Sequence, residues 1–92
     1  MNFIEVLGIV AAVLTTAANV PQAIKIIRTK STESISAATY GLLLTGLILW
    51  LIYGIDKKDL PIILANAVSA VLAAIILFMK LTAKKGKNNF PV

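Results

Sequence analysis

The sequence predicts an all-α membrane protein, a bundle of three transmembrane helices, and three observations carry that prediction. The first is composition. Of 92 residues, 59% are hydrophobic and 14% charged, against about 45–50% and about 25% in an average soluble domain. The mean hydropathy of +0.91 agrees, and a globule this small leaves too much surface wet for so few polar residues to cover. The second is where the charges fall. They bound three uncharged runs: 19 residues from Val6 to Ile24, 22 from Ser34 to Ile55, and 20 from Leu60 to Met79. A hydrocarbon core of roughly 30 Å needs about 20 apolar residues of helix. The third is periodicity: the short alternating segments of a membrane β-barrel are missing, and in lipid only helices satisfy their own backbone.

The first span begins after Met1 to Glu5, which carries only an acid. A secretory signal starts with positive charge, so this span is expected to be retained. Pro21 lies well inside it and cannot donate to the Ala17 carbonyl, which predicts a kink. The second span carries Trp50 and Tyr53, and the third carries Asn66 and Ser69. Lys25, Arg28, Lys30, Lys80, Lys84, Lys85 and Lys87 fall on one side, against Lys57 and Lys58 on the other. The positive-inside rule then puts the N-terminus outside and the C-terminus in the cytoplasm. Residues 1–82 form one transmembrane domain, and 83–92 read as a basic, disordered cytoplasmic tail.

Cysteine and histidine are both absent, which removes disulfides, thiol chemistry and almost every transition-metal site. Glu5, Glu33, Asp56 and Asp59 are too scattered for an acid–base pair, so no enzyme, no metal and no cofactor is expected. The basic tail has no interleaved aromatics, and no nucleic-acid partner is expected. The lipid bilayer is the surrounding partner.

Within the spans there is no Asp, Glu, Lys, Arg or His. Proton-coupled carriers usually hold an ionisable group at membrane depth, so passive movement of a neutral solute is favoured. Trp50 lies six residues before Asp56 and Asn66 six after Leu60, each about 9 Å below the outer end of its helix. That is too deep for an aromatic belt. Leu43, Gly46, Trp50, Tyr53 and Lys57 recur at spacings of three and four and share one face. Gly46 leaves room beneath Trp50, and Asp59 stands near enough to pair with Lys57 or accept from Tyr53. On the first helix Thr15, Asn19 and Gln22 share a face, with Thr16 in register with Asn19. Asn19 is about 9 Å from the inner end, counted from Lys25. Polar groups in both halves of the membrane suit a hydroxyl-rich solute, whose unpartnered hydroxyls would be costly. An indole suits the C–H face of a sugar ring. The plainer explanations are helix packing for Trp50, an interhelical hydrogen bond for Asn66, a belt position for Tyr53 and a solvated turn for Lys57 and Asp59; the shared depth of Trp50 and Asn66 weighs against the first two.

Pro21-Gln22, after an apolar helix and before a basic end, resembles the PQ-loop motif. The stretch Ile27 to Ser36, IRTKSTESIS, looks like the loop that follows it in bacterial SemiSWEETs, half-sized relatives of the SWEET sugar transporters. With Trp50, Tyr53-Gly54 and Ala65-Asn66, the resemblance runs from about Val6 to Leu81. It implies a parallel homodimer, in keeping with the parallel repeats of SWEETs, enclosing one sugar path in a bacterial inner membrane. It implies a substrate pocket of Trp50 and Asn66 from both copies, with Asn19 and Thr16 lining it. It further implies an outer gate of Tyr53, Lys57 and Asp59, an inner gate near Thr39, Tyr40 and Leu43, and a hinge at Pro21 with Gln22. Lys57 stands where relatives can carry Arg, and Asn19 where relatives carry varied, often apolar, residues. Three helices hardly enclose a sugar, and identical chains with the same charge bias insert alike. Ala65, Ser69 and Ala73 recur every four residues, as close-packed membrane interfaces prefer.

The expected function is passive, bidirectional uniport of a mono- or disaccharide such as glucose or sucrose, by alternating access. Two alternatives are a PQ-loop carrier of another small solute and a holin-like or accessory membrane protein without a solute.

Overall fold

The computed structural model describes residues 2–83, so residues 84–92 of the expected tail lie outside the described residues. Three helices fill that range: α1 (Phe3–Thr29), α2 (Ala37–Lys57) and α3 (Leu60–Thr82). Each is long and apolar enough to cross a membrane. Each starts where a side chain takes up an orphan N–H. Asn2 accepts from Glu5 N–H at 2.7 Å, Ser36 from Thr39 N–H at 3.1 Å, and Asp59 from Ile62 N–H at 3.2 Å. Pro61 sits in the first turn of α3, where a missing N–H costs nothing.

Two of the three stop on a lysine in the left-handed region, Lys30 at φ 55° and Lys58 at φ 53°. Reversed bonds close these ends. Ser31 N–H reaches the Ile26 carbonyl at 3.2 Å, and Asp59 N–H reaches the Gly54 carbonyl at 2.9 Å. The second closure leaves no slack between α2 and α3, so the Trp50-bearing and Asn66-bearing helices form a tight antiparallel pair.

At 27 residues α1 outruns its charge-free stretch and continues through Pro21 to Thr29. A charge marks where a helix leaves hydrocarbon, not where its hydrogen bonding stops, so Lys25 and Arg28 ride on the last turns. The helix runs across Pro21, which cannot donate the rung to Ala17.

The helices lie in the order α1, α3, α2. The third packs against both others, while the α1 and α2 backbones come nowhere within 8 Å of each other. Gly54 is buried where α2 meets α3, and Ala73 and Ile76 form the core on α3. The body measures 52 × 22 × 17 Å, a slab with apolar side chains on its faces. In lipid such faces cost little, because association rests on close packing rather than on water exclusion.

The basic end is tied together. Lys80, on the last turn of α3, donates from Nζ to the Thr32 carbonyl in the α1–α2 loop at 3.2 Å. The loop and the C-terminal ends of α1 and α3 therefore share one end of the slab, and Lys57 and Lys58 stand at the other. This is the two-sided arrangement of charge that the uncharged runs imply.

Candidate functional site

A groove of about 1240 Å³ runs along one side of the slab, walled by all three helices and the α1–α2 loop. From α1 it takes Thr15, Thr16, Asn19 and Gln22; from α2 Tyr40, Leu43 and Trp50; from α3 Asn66 and Ser69. Three helices supply all four residues expected to bind substrate, and the groove brings them together. The wall continues to the basic end through Lys25, Ser31 and Ser34, and stops short of Tyr53, Lys57 and Asp59. At the other end it reaches Gly8 and Ile62.

The levels follow from the packing of α1 on α3. These helices run parallel, since Ile9 to Ala17 and Leu60 to Val68 wall one small apolar cleft and Lys80 meets Thr32 at the far end. Their offset is about 50 residues, which sets Thr16 at the level of Asn66 and Asn19 beside Ser69. Asn19 is then about 4.5 Å from the Asn66 level, nearer than a count from Lys25 implies, because α1 continues past that lysine.

Polar groups inside and outside the groove differ in how they are satisfied. On α2, away from the groove, the Thr45 hydroxyl donates to the Gly41 carbonyl at 2.8 Å. At the basic end Thr29 and Thr82 do the same with Lys25 and Phe78. Among the described residues, the side chains of Thr15, Thr16, Asn19, Gln22 and Ser69 have no protein partner. Unpartnered amides and hydroxyls are costly in hydrocarbon, so this stripe needs water or solute beside it.

Asn66 is half-engaged. Its Nδ2 donates to the Ile62 carbonyl at 2.8 Å, which leaves Oδ1 and one N–H for a solute. The Trp50 ring meets Tyr53 edge to face, centroids 5.5 Å apart at 87°, a preferred aromatic geometry. Trp50 stays 55% exposed in the single chain, so its plate is held by a neighbour yet uncovered.

The expected gates are placed as follows. Lys57 Nζ lies 6.0 Å from the Tyr53 ring centroid, within cation–π range, and Asp59 caps α3. Within one chain the lysine therefore meets the ring, and the carboxylate serves the helix. Tyr40 and Leu43 line the groove; Thr39 does not, its backbone N–H donating to Ser36. Gln22 lines the groove and Pro21, its neighbour, does not. Among the described residues no cluster of carboxylates is able to hold a metal ion.

Sequence reasoning gave no site role to Ser69, Lys25, Ser31 or Ser34. Ser69 lies one turn from Asn66 and was legible by that spacing. The loop serines carried no signal, since nothing in a hydropathy pattern says that a loop folds back onto a groove.

The PQ loop repeat family model matches residues 3–63. The chain is 47% identical over 78 residues to the sugar transporter SemiSWEET of Leptospira biflexa, covering 85% of this chain and 92% of that one. It is 43% identical over 88 residues to the sugar transporter SemiSWEET of Escherichia coli, covering 96% and 99%. Among solved structures it is similar to a crystal structure of SemiSWEET in the inward-open conformation. The TM-score is 0.79 at 45% identity, over 87% of this chain and 93% of the other.

Proposed function

The chain belongs to the PQ-loop repeat family, and on that premise we propose that it is a passive, bidirectional sugar uniporter working as a parallel homodimer. The observation that carries the reading is the groove itself. An uncovered indole, a half-free carboxamide and a stripe of unpartnered amides and hydroxyls share one wall. Trp50 takes the C–H face of a sugar ring, Asn66 Oδ1 accepts from its hydroxyls, and Thr16 and Asn19 supply further hydrogen bonds. The relatives are named as sugar transporters, and their chemistry suits these residues.

The groove is open along one side, and a second copy facing it encloses the path. Equal charge bias inserts both copies alike, N-terminus outside and C-terminus in the cytoplasm, so the basic end is the inner end. Tyr53, Lys57 and Asp59 form the outer gate. Thr39, Tyr40 and Leu43 form the inner one. Pro21, with Gln22, is the hinge about which the inner end of α1 swings. The three uncharged runs hold no Asp, Glu, Lys, Arg or His to couple protons, so the gradient alone drives movement. A holin-like role leaves the groove unused.

The test is uptake by purified protein in liposomes. Labelled glucose or sucrose should accumulate only to equilibrium, and Asn66→Ala should abolish entry. Unchanged uptake by a folded Asn66→Ala protein refutes the pocket.

A further inference from the structure

We propose that Lys80 is a positioning residue of the transport cycle, fastening the α1–α2 loop to α3 and so holding the inner mouth of the groove open. The inference rests on the alternating-access reading and adds to it the element that biases the cycle. Ser31 and Ser34 wall the basic end of the groove, and between them Thr32 is 2% exposed. Its carbonyl accepts twice, from Ile35 N–H at 3.1 Å and from Lys80 Nζ at 3.2 Å, which uses both lone pairs.

Lys80 is only 9% exposed, and a lysine buried at the edge of a membrane span needs acceptors to offset its lost water. A bond from a charged donor is roughly twice as strong as a neutral one. The Cα atoms of the helices on either side of the loop come nowhere within 8 Å of each other, and each leans on α3. The loop is their covalent link at this end, and Lys80 joins it to the helix between them. Closing the inner mouth means swinging the end of α1, which carries Ser31 and Ser34 with it and draws Thr32 away from Lys80. The bond therefore belongs to the arrangement in which the groove reaches the basic end past Ser31 and Ser34, and it weights the equilibrium toward that arrangement.

The chain contains no cysteine, so one introduced thiol is a clean reporter. Ala23 lines the inner half of the groove. With Ala23→Cys in nanodiscs, a membrane-impermeant maleimide reads how open that half is, without any sugar. Lys80→Met should slow labelling about tenfold, the loss expected for a charged hydrogen bond, and Lys80→Arg should restore it to within about twofold. If Lys80→Met does not yield folded dimer, Lys80→Gln, which keeps a donor without the charge, should label at an intermediate rate.

Labelling at the Lys80 rate in a folded Met or Gln variant overturns the proposal. So does an Arg variant as slow as Met, because a merely structural role changes melting temperature without changing thiol access. Liposome uptake separates the two readings. A chain that moves no sugar yet shows the labelling change keeps the positioning role and loses the transporter. A chain that moves sugar with labelling unaltered does the reverse.

Discussion

Adding one methyl to Gly54 should both weaken the fold and loosen the sugar pocket. A Cβ built there lies 2.7 Å from Ile62 Cγ2, 3.2 Å from Ile62 Cβ and 3.3 Å from Ile63 Cγ1. Carbon contacts are optimal at about 3.5–4.0 Å, so α2 and α3 must separate by roughly 1 Å or Ile62 must leave its rotamer. The β-branch makes that rotamer stiff. Overpacking of this kind costs about 1–3 kcal/mol, and Ala recovers up to about 1 kcal/mol of helix propensity over Gly. A contact as short as 2.7 Å belongs to the upper end of that range, so the net loss is about 2 kcal/mol. Function is affected too, because the Ile62 carbonyl holds Asn66 and Gly54 lies one turn from Trp50. Thermal unfolding of purified protein should show the loss, and sugar titrations followed by Trp50 fluorescence should show weaker binding. Ile62→Leu removes the clashing Cγ2, so the double variant should recover about 1 kcal/mol of coupling. Gly41, with no atom within 4 Å of its added Cβ, is the control. Gly54→Ala as stable as the parent, or no rescue by Ile62→Leu, refutes this account of the α2–α3 contact.

Two further predictions follow from the backbone. Pro21→Ala restores the rung to Ala17 and should slow sugar exchange severalfold while leaving the dimer intact; parental exchange rates in a well-folded variant count against the hinge. Lys58 sits at φ 53°, a region that costs a side-chain-bearing residue roughly 1 kcal/mol. Lys58→Gly should therefore raise the melting temperature, and an unaltered or lower value contradicts the reading of that turn.

Much of the fold was legible because charge is expensive in lipid. Each uncharged run marks a span, and Ser36 and Asp59 stand where caps were needed. What the runs did not carry is neighbourhood. Hydropathy says nothing about which helix touches which, so the central place of α3 was hidden, and with it the level of Asn19 on α1. The depth count sets Trp50 and Asn66 at one level, and both line the groove, on two helices that the tight turn through Lys58 and Asp59 fixes to each other. The count for Asn19 takes Lys25 as the inner end, whereas α1 runs on to Thr29. Lys80 counted only as a topogenic charge, and its bond to Thr32 spans a separation in sequence that no periodicity reports. Asp59 was legible as a polar residue at the outer mouth, yet its hold on Ile62 N–H depends on where α3 begins.

The central claim is that Trp50 faces an aqueous, sugar-filled path between two copies of the chain. Trp50 is the only tryptophan, so fluorescence quenching of the reconstituted protein reads that single indole. The account predicts strong quenching by aqueous acrylamide, little by brominated lipid, and protection from acrylamide on adding the transported sugar. Efficient quenching by brominated lipid, with acrylamide and sugar without effect, would contradict it.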